Sequence, residues 1–203
     1  MGLVIKMIYD YENKTLQVKI VYYGPAMSGK TTSIKHLFSH FNRQNVLESI
    51  DSSVGRTLFF DFGVLNFRGA EWGLKFLIYS ATGQDFYAST RPATLNGVDG
   101  IIFVVDSRTR CLRHNLRSWK ELTAMLGSEF FNIPMVISMN KYDINDDTKM
   151  SETNFNDHID IAAFKNVSFQ KTAAIRGYGV IESFSQMIKF IFPQLTLNIS
   201  ITN

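Results

Sequence analysis

Cysteine is almost missing: the 203 residues hold one, Cys111. A lone thiol makes no intrachain disulfide and no cysteine-based zinc site, and it suits a reducing compartment, so a cytoplasmic location is expected. No apolar run approaches the ~20 residues of a membrane-spanning helix, so no integral membrane segment is expected. The opening MGLVIK is interrupted by Lys6 and followed by no small-residue cleavage pattern. Lys6 also stands where a myristoylation pattern on Gly2 requires Ser or Thr, and the ending ISITN carries no prenylation box. Neither charge dominates: Lys plus Arg is 21, Asp plus Glu is 18, and the net charge of +3 is too mild to argue for nucleic acid. Proline is scarce, with 4 residues, and no low-complexity linker or internal repeat divides the chain. Hydrophobic residues at 45%, 17 of them Phe, suffice for the core of one domain.

Short β-rich runs alternate with helical patterns. Leu16 to Tyr23 reads as a strand ending at Gly24-Pro25, and Lys30 to Phe41 as a helix with Ile34, Leu37, Phe38 and Phe41 on one face. Asn42 to Arg56 is polar and aperiodic and reads as a loop. Thr57 to Phe67 and Trp72 to Tyr79 read as an antiparallel hairpin about Gly69. Gly100 to Val105 and Ile133 to Met139 are continuous apolar runs, as in strands covered on both faces. Cys111 to Leu126 is helical, Asp146 to Asn166 is ambiguous, Val167 to Gln170 is a short strand, and Gly179 to Phe192 is a helix stopped by Pro193. This order predicts an α/β fold with a central, mostly parallel sheet, one antiparallel hairpin strand and helices on both faces. The expected domain spans residues 16–193. Residues 1–15 form an N-terminal extension with a candidate edge strand from Leu3 to Tyr9, and residues 194–203 form a tail.

Gly24-Pro25-Ala26-Met27-Ser28-Gly29-Lys30-Thr31 matches the phosphate-loop pattern G-x-x-x-x-G-K-[ST], placed between a strand and a helix as that pattern requires. Its glycines let the backbone approach a phosphate, its N–H groups form an anion nest, and the helix adds the positive end of its dipole. Lys30 is expected on the outer phosphates and Thr31 on magnesium, with Gly24, Ala26, Met27, Ser28, Gly29 and Thr32 completing the cradle. Asn140-Lys141-Tyr142-Asp143 follows a buried strand. Two carboxylate oxygens on Asp143 can accept the paired N–H donors of guanine, and adenine has no such pair. Asn140 would bond the other edge of the base, and the Lys141 stem would pack along the nucleotide.

With N-K-x-D after a phosphate loop, the sequence resembles the Ras-like small GTPases, whose fold is the P-loop G domain and whose cofactors are GTP or GDP with Mg2+. Thr172-Ala173-Ala174 resembles the loop in which this family bonds the guanine carbonyl, with Ile175 where the family has lysine. Ser80-Ala81-Thr82-Gly83-Gln84 resembles switch II, D-x-x-G-Q, with Ser80 in place of Asp. Gly83 would meet the γ-phosphate and Gln84 would orient the attacking water. A hydroxyl at that position, the entry Lys19 to Pro25, the run Arg56-Thr57-Leu58-Phe59-Phe60-Asp61-Phe62, and Gly97-Val98-Asp99-Gly100 are similar to the Mgl-type gliding-motility and polarity GTPases of bacteria and archaea. That resemblance spans about residues 16 to 192. It implies that Thr57 joins Thr31 at magnesium and touches the γ-phosphate. It also implies that Arg56 is an arginine finger carried in the same chain, and that Lys30, Arg56 and Gln84 are the catalytic residues. The implied partner is a roadblock-type (MglB-like) activating protein, itself a dimer, acting on a chain that is monomeric alone.

Some readings stay open at this point. Arg56 is either that finger or an exposed loop arginine. Asp61, inside an apolar strand, either supplies the carboxylate that Ser80 lacks or faces solvent at an edge. Ala26 replaces a glycine usual in the Mgl pattern, beside the γ-phosphate. Arg108, Arg110, Arg113, His114 and Arg117 either form a site for an acidic partner or headgroup, or are a solvated helix face. Two functions compete: a hydrolysing switch, and a platform that holds guanine nucleotide with negligible turnover.

Overall fold

The computed structural model describes residues 7–41, 47–51, 57–68, 71–83, 89–144 and 149–194, with 47–51 and 57–61 described in backbone only. Its sheet contains β1 (Ile8–Asp10), β2 (Thr15–Tyr23), β3 (Leu47–Asp51), β4 (Thr57–Arg68), β5 (Gly73–Ala81), β6 (Gly100–Asp106), β7 (Met135–Asn140) and β8 (Val167–Lys171). The strand order is β3-β4-β5-β2-β6-β7-β8, with β1 also paired to β2. β5, β2, β6, β7 and β8 run parallel, and β4 returns antiparallel on β5. The expected α/β class and hairpin are therefore present.

Antiparallel pairing reaches further than that hairpin. Leu47–Asp51, inside the stretch read as a loop, pairs antiparallel with β4. The sequence LESID has no clean alternation, because an edge strand at a bulge between Ser49 and Asp51 needs no two-faced pattern. At the N-terminus a short β1 runs antiparallel to β2 and shares Ile8 and Tyr9 with the candidate strand; Leu3 to Lys6 lie outside the described residues. β5 also runs on through Ser80 and Ala81, so the segment that resembles switch II begins on a strand.

Strand alternation builds two cores. Val18, Ile20 and Tyr22 of β2 and Ile102 and Val104 of β6 face one side. There they meet α1 (Lys30–His40) and α5 (Val180–Ile191) through Ile34, Leu37, Phe38, Phe184 and Ile188. Val21, Tyr23, Ile101, Phe103 and Val105 face the other side. Leu95 of the short α2 (Arg91–Leu95), together with Trp119 and Leu122 of α3 (Leu112–Leu126), covers them. The ambiguous stretch contributes one short helix, α4 (Glu152–Asn156), started by a reciprocal Ser151–Asn154 capping box. Phe155 from α4 is fully buried in the second core.

Strand order reverses beside β2: β5 lies on one side and β6 on the other. In open α/β sheets such a reversal leaves a crevice at the carboxyl ends of the strands. The chain segments after β2, β5, β7 and β8 all emerge there.

Candidate functional site

The turn after β2 is built around two glycines that no other residue can replace without movement. Gly24 has φ +143°, and a Cβ there would lie 2.3 Å from the Val104 carbonyl oxygen. Gly29 has φ +107°, and its Cβ would lie 2.1 Å from Asn140 Nδ2. α1 starts at Lys30 with no side chain capping it, so its first-turn N–H groups keep their pull on an anion. Lys30 is buried and donates to the carbonyls of Gly24 (2.9 Å) and Pro25 (2.8 Å), closing the loop on itself.

Asn140, at the end of β7, ties that loop to two others. Its Nδ2 donates to the Ser28 carbonyl at 2.7 Å. Its Oδ1 accepts from the Ala174 N–H at 2.9 Å and from Thr172 Oγ1 at 3.2 Å. Thr172 Oγ1 also lies 2.8 Å from Ser138 Oγ. Three buried polar groups thus satisfy one another at the base of the crevice, where an unmade bond would be costly.

Above this web lies a cavity of about 470 Å3. Ala26, Met27, Gly29, Lys30, Thr31, Thr32 and Gly83 line one end's loops, and Asn140, Lys141, Asp143 and Ala174 line the others. Of the remaining candidates, Gly24, Ser28, Thr172 and Ala173 stand behind this wall as its supports. Ala173 bonds the Tyr178 carbonyl through its N–H at 2.9 Å. Arg56, Gln84 and the side chains of Thr57 and Asp61 lie outside the described residues. The backbone of Asp61 is described, and it stands directly opposite Ser80 in the β4/β5 register.

Sequence reasoning missed several lining residues. Thr82, Ile144 and Ile175 also face the cavity, and the two isoleucines are well exposed. Asp106, the last residue of β6, was passed over; a charged residue closing an apolar strand at the rim was the available signal. Its carboxylate accepts from Arg108 and from Lys141 Nζ, the latter at 2.7 Å. Burial alone would raise the Asp106 pKa, but hydrogen bonds from Arg108 and Lys141 outweigh it and hold the value at about 2. The buried Arg91, bonded to Thr82 O and to Glu121, was also unforeseen. Of the basic cluster, Arg108 is spent on Asp106, while Arg110, Arg113 and His114 are exposed.

Both signs of charge line the cavity: Lys30 at the start of α1, and Asp143 on the loop after β7. Arg176 Nε approaches Asp143 Oδ2 at 3.4 Å from the exposed side. For a metal, no cluster of three His, Cys, Asp or Glu exists among the described residues. Hydroxyls are available instead. Thr31 lines the cavity, and Ser80 Oγ, buried on the same lining, has no hydrogen-bond partner among the described residues. Such a set fits a magnesium ion that takes most of its ligands from phosphates and water. Gly83 packs against the phosphate loop so closely that a Cβ would lie 2.3 Å from the Ala26 nitrogen.

The pattern of the ADP-ribosylation factor family matches residues 4–191. The mutual gliding-motility protein MglA of Myxococcus xanthus (strain DK1622) is 31% identical over 193 residues, covering 92% of this chain and 96% of that protein. The Ras-related protein Rab-5A of Dictyostelium discoideum is 26% identical over 177 residues, covering 87% and 82%. Among solved structures, the Arl6 BBS3 small GTPase of Trypanosoma brucei, with bound nucleotide analogue GppNp, superposes with a TM-score of 0.64. It covers 88% of this chain and 99% of that one at 20% identity, a likeness of fold.

The Asn140 web yields a stability test. Asn140→Ala leaves the Ser28 carbonyl, the Ala174 N–H and part of the Thr172 hydroxyl unsatisfied. It should lower the unfolding free energy of nucleotide-free protein by about 1–3 kcal/mol in urea denaturation. A loss indistinguishable from zero would mean that the three loops do not depend on this amide.

Proposed function

The chain belongs to the ADP-ribosylation factor family of small GTPases, and we propose that it works as a magnesium-dependent switch that hydrolyses GTP to GDP and is stimulated by a roadblock-type activating partner. What supports this reading is one cavity lined by Lys30 and Thr31 from the start of α1 and by Asp143 from the loop after β7. That combination of cation and carboxylate suits a ligand with a polyphosphate tail and a purine bearing paired N–H donors.

On binding, Lys30 exchanges its bonds to Gly24 and Pro25 for bonds to the outer phosphates. The phosphate-loop N–H groups and the start of α1 hold the rest of the tail. Asp143 accepts the two guanine donors, with the Ala174 loop at the base carbonyl and the Lys141 stem along the ring. Magnesium, held by Thr31 and Thr57, would neutralise charge on the outer phosphates. Gln84 orients a water whose oxygen attacks the γ-phosphorus. The bond to the β–γ bridging oxygen breaks, and GDP and inorganic phosphate leave. Arg56 spreads its charge over the transferring group when the partner seats it. Thr57 and Gly83 lose their contact with the γ-phosphate on hydrolysis, and the partner reads the released loops.

Asp61 takes the part that Ser80 cannot. Residues opposite one another in an antiparallel pair share a face, and Ser80 lines the cavity. On this reading the Asp61 carboxylate would supply the charge toward the metal that the Ser80 hydroxyl cannot. The second reading, a platform with negligible hydrolysis, is favoured by the Ala26 position. Its backbone touches Gly83, and its methyl group stands where a glycine would leave room for an incoming arginine.

Three measurements follow. Asp143→Asn offers guanine an N–H where it needs an acceptor, and should cut guanine-nucleotide affinity about 100-fold while improving that for xanthine nucleotides. Equal GTP and ATP affinity in the unaltered protein would remove the base-reading role altogether. In single-turnover GTP hydrolysis with the activating partner present, Gln84→Ala should slow the step by about 100-fold or more. Equal, near-zero rates in both proteins would select the platform. Asp61→Ala should weaken GDP binding in magnesium but not in EDTA; an unchanged magnesium dependence would leave Asp61 without its role.

A further inference from the structure

Asp106 binds two cations and joins two elements. It closes β6 opposite Asn140 in the β6/β7 register, and its side chain is only 5% exposed. Arg108 holds the carboxylate as a fork, Nε to Oδ1 at 2.9 Å and Nη2 to Oδ2 at 2.5 Å, and its backbone N–H reaches Oδ1 at 3.2 Å. Lys141 Nζ takes Oδ2 at 2.7 Å. The Asp106 backbone is fixed in turn by Asn115 of α3, whose amide accepts from its N–H at 3.1 Å and donates to its carbonyl at 2.9 Å. Both sides of the carboxylate are thus immobilised before Lys141 arrives.

Lys141 needs an anchor of this kind. Its backbone is left-handed, with φ +64°, and the next residue pins the loop by Tyr142 N–H to the Thr172 carbonyl at 3.0 Å. The side chain is the part still free to choose. It lines the cavity, and an ammonium on a flexible four-carbon stem drifts toward water unless a carboxylate holds it. Asp106 holds it across the rim, so the stem is drawn along the cavity wall.

We propose that Asp106 is a positioning residue of the base pocket: clamped by Arg108, it anchors the Lys141 ammonium so that the Lys141 stem forms the fixed wall against which the guanine ring packs. The consequence is slow release of bound nucleotide, and it rests on the reading above that Lys141 packs along the nucleotide. Asp106 itself touches no ligand. Removing the carboxylate frees Lys141 without altering Asp143, so selectivity for guanine over adenine stays while retention falls.

The test is a double-mutant cycle on release of a fluorescent GDP analogue. Asp106→Asn and Lys141→Met should each accelerate release about tenfold. The combined variant should release no faster than Lys141→Met alone. Arg108→Gln, a milder change at a more exposed residue, should accelerate release about threefold, and this too should vanish once Lys141 is Met. Unchanged release in Asp106→Asn, or its full acceleration persisting on the Lys141→Met background, would overturn the proposal in favour of a purely structural carboxylate. A nucleotide-free readout separates it from the reading beneath it. Reductive methylation of Lys141, followed by mass spectrometry, should quicken several-fold in Asp106→Asn and also, less, in Arg108→Gln. Equal labelling in all three proteins defeats the anchor. If the unaltered protein retains no guanine nucleotide while labelling still responds, the proposed function fails and the anchor stands.

Discussion

One side-chain amide holds the site in register. Asn140 reaches Ser28, 112 positions earlier in the chain, and Thr172 and Ala174, which lie after it. Each contact is a hydrogen bond between buried groups, so the alternative to making it is a desolvated polar atom. Gly29 is bound to the same geometry from the opposite side, since any side chain there would strike the Asn140 amide. Binding a ligand with two distant ends requires that the loops grasping those ends keep a fixed separation. A rigid sheet supplies the coarse spacing, and Asn140 removes the slack that loops on a sheet edge would otherwise retain.

The charged groups around the cavity are arranged so that few are left to water. Lys30 is folded onto loop carbonyls, Lys141 is drawn to Asp106, and Asp143 meets Arg176 only at 3.4 Å from the exposed side. These ties differ in strength for a physical reason. Asp106 is buried and bonded by two cations, so its carboxylate stays ionised far below neutral pH. The Arg176 contact is exposed and screened, worth little by itself, and yields easily to a base that offers two donors in one plane. Lys30 lies between these cases: it donates to two neutral carbonyls, weaker acceptors than a phosphate, so trading those two bonds for phosphate is favourable.

The motif-bearing parts were legible from sequence because each is local. A phosphate loop must place glycines, lysine and threonine at fixed spacing to turn a backbone around an anion, and the apolar runs of β6 and β7 announce strands covered on both faces. What escaped detection depends on partners far along the chain. Leu47–Asp51 is a strand because β4 offers it an edge, while its own residues carry no alternation. Asp106 gains its meaning from Arg108 and from Lys141, 35 positions away. Arg91 is buried because Glu121 and the Thr82 carbonyl receive it. A register is likewise invisible in one dimension: that Asp61 stands opposite Ser80 follows only once β4 and β5 are paired residue by residue.

Binding and turnover place different demands on this scaffold: Ser80 and Ala26 depart from the family patterns on the side of turnover, while Ile175 departs in the loop proposed to meet the base. Every group that would select guanine or grip a diphosphate stands on the strand ends or on loops tied by Asn140. In the proposed complex, Ser80 and Ala26 would face the region beyond the β-phosphate, where catalysis requires charge to be met as it develops. Ser80 keeps a small buried hydroxyl where a carboxylate is usual, and the neighbouring strand carries Asp61 at the paired position. On the proposed reading, Asp61 would restore the charge that Ser80 lacks, from β4 instead of β5. β4 lies between β3 and β5, away from the strands that carry the base-reading loops. On that reading metal affinity, and with it turnover, would depend on β4, whereas the grip on the base would not.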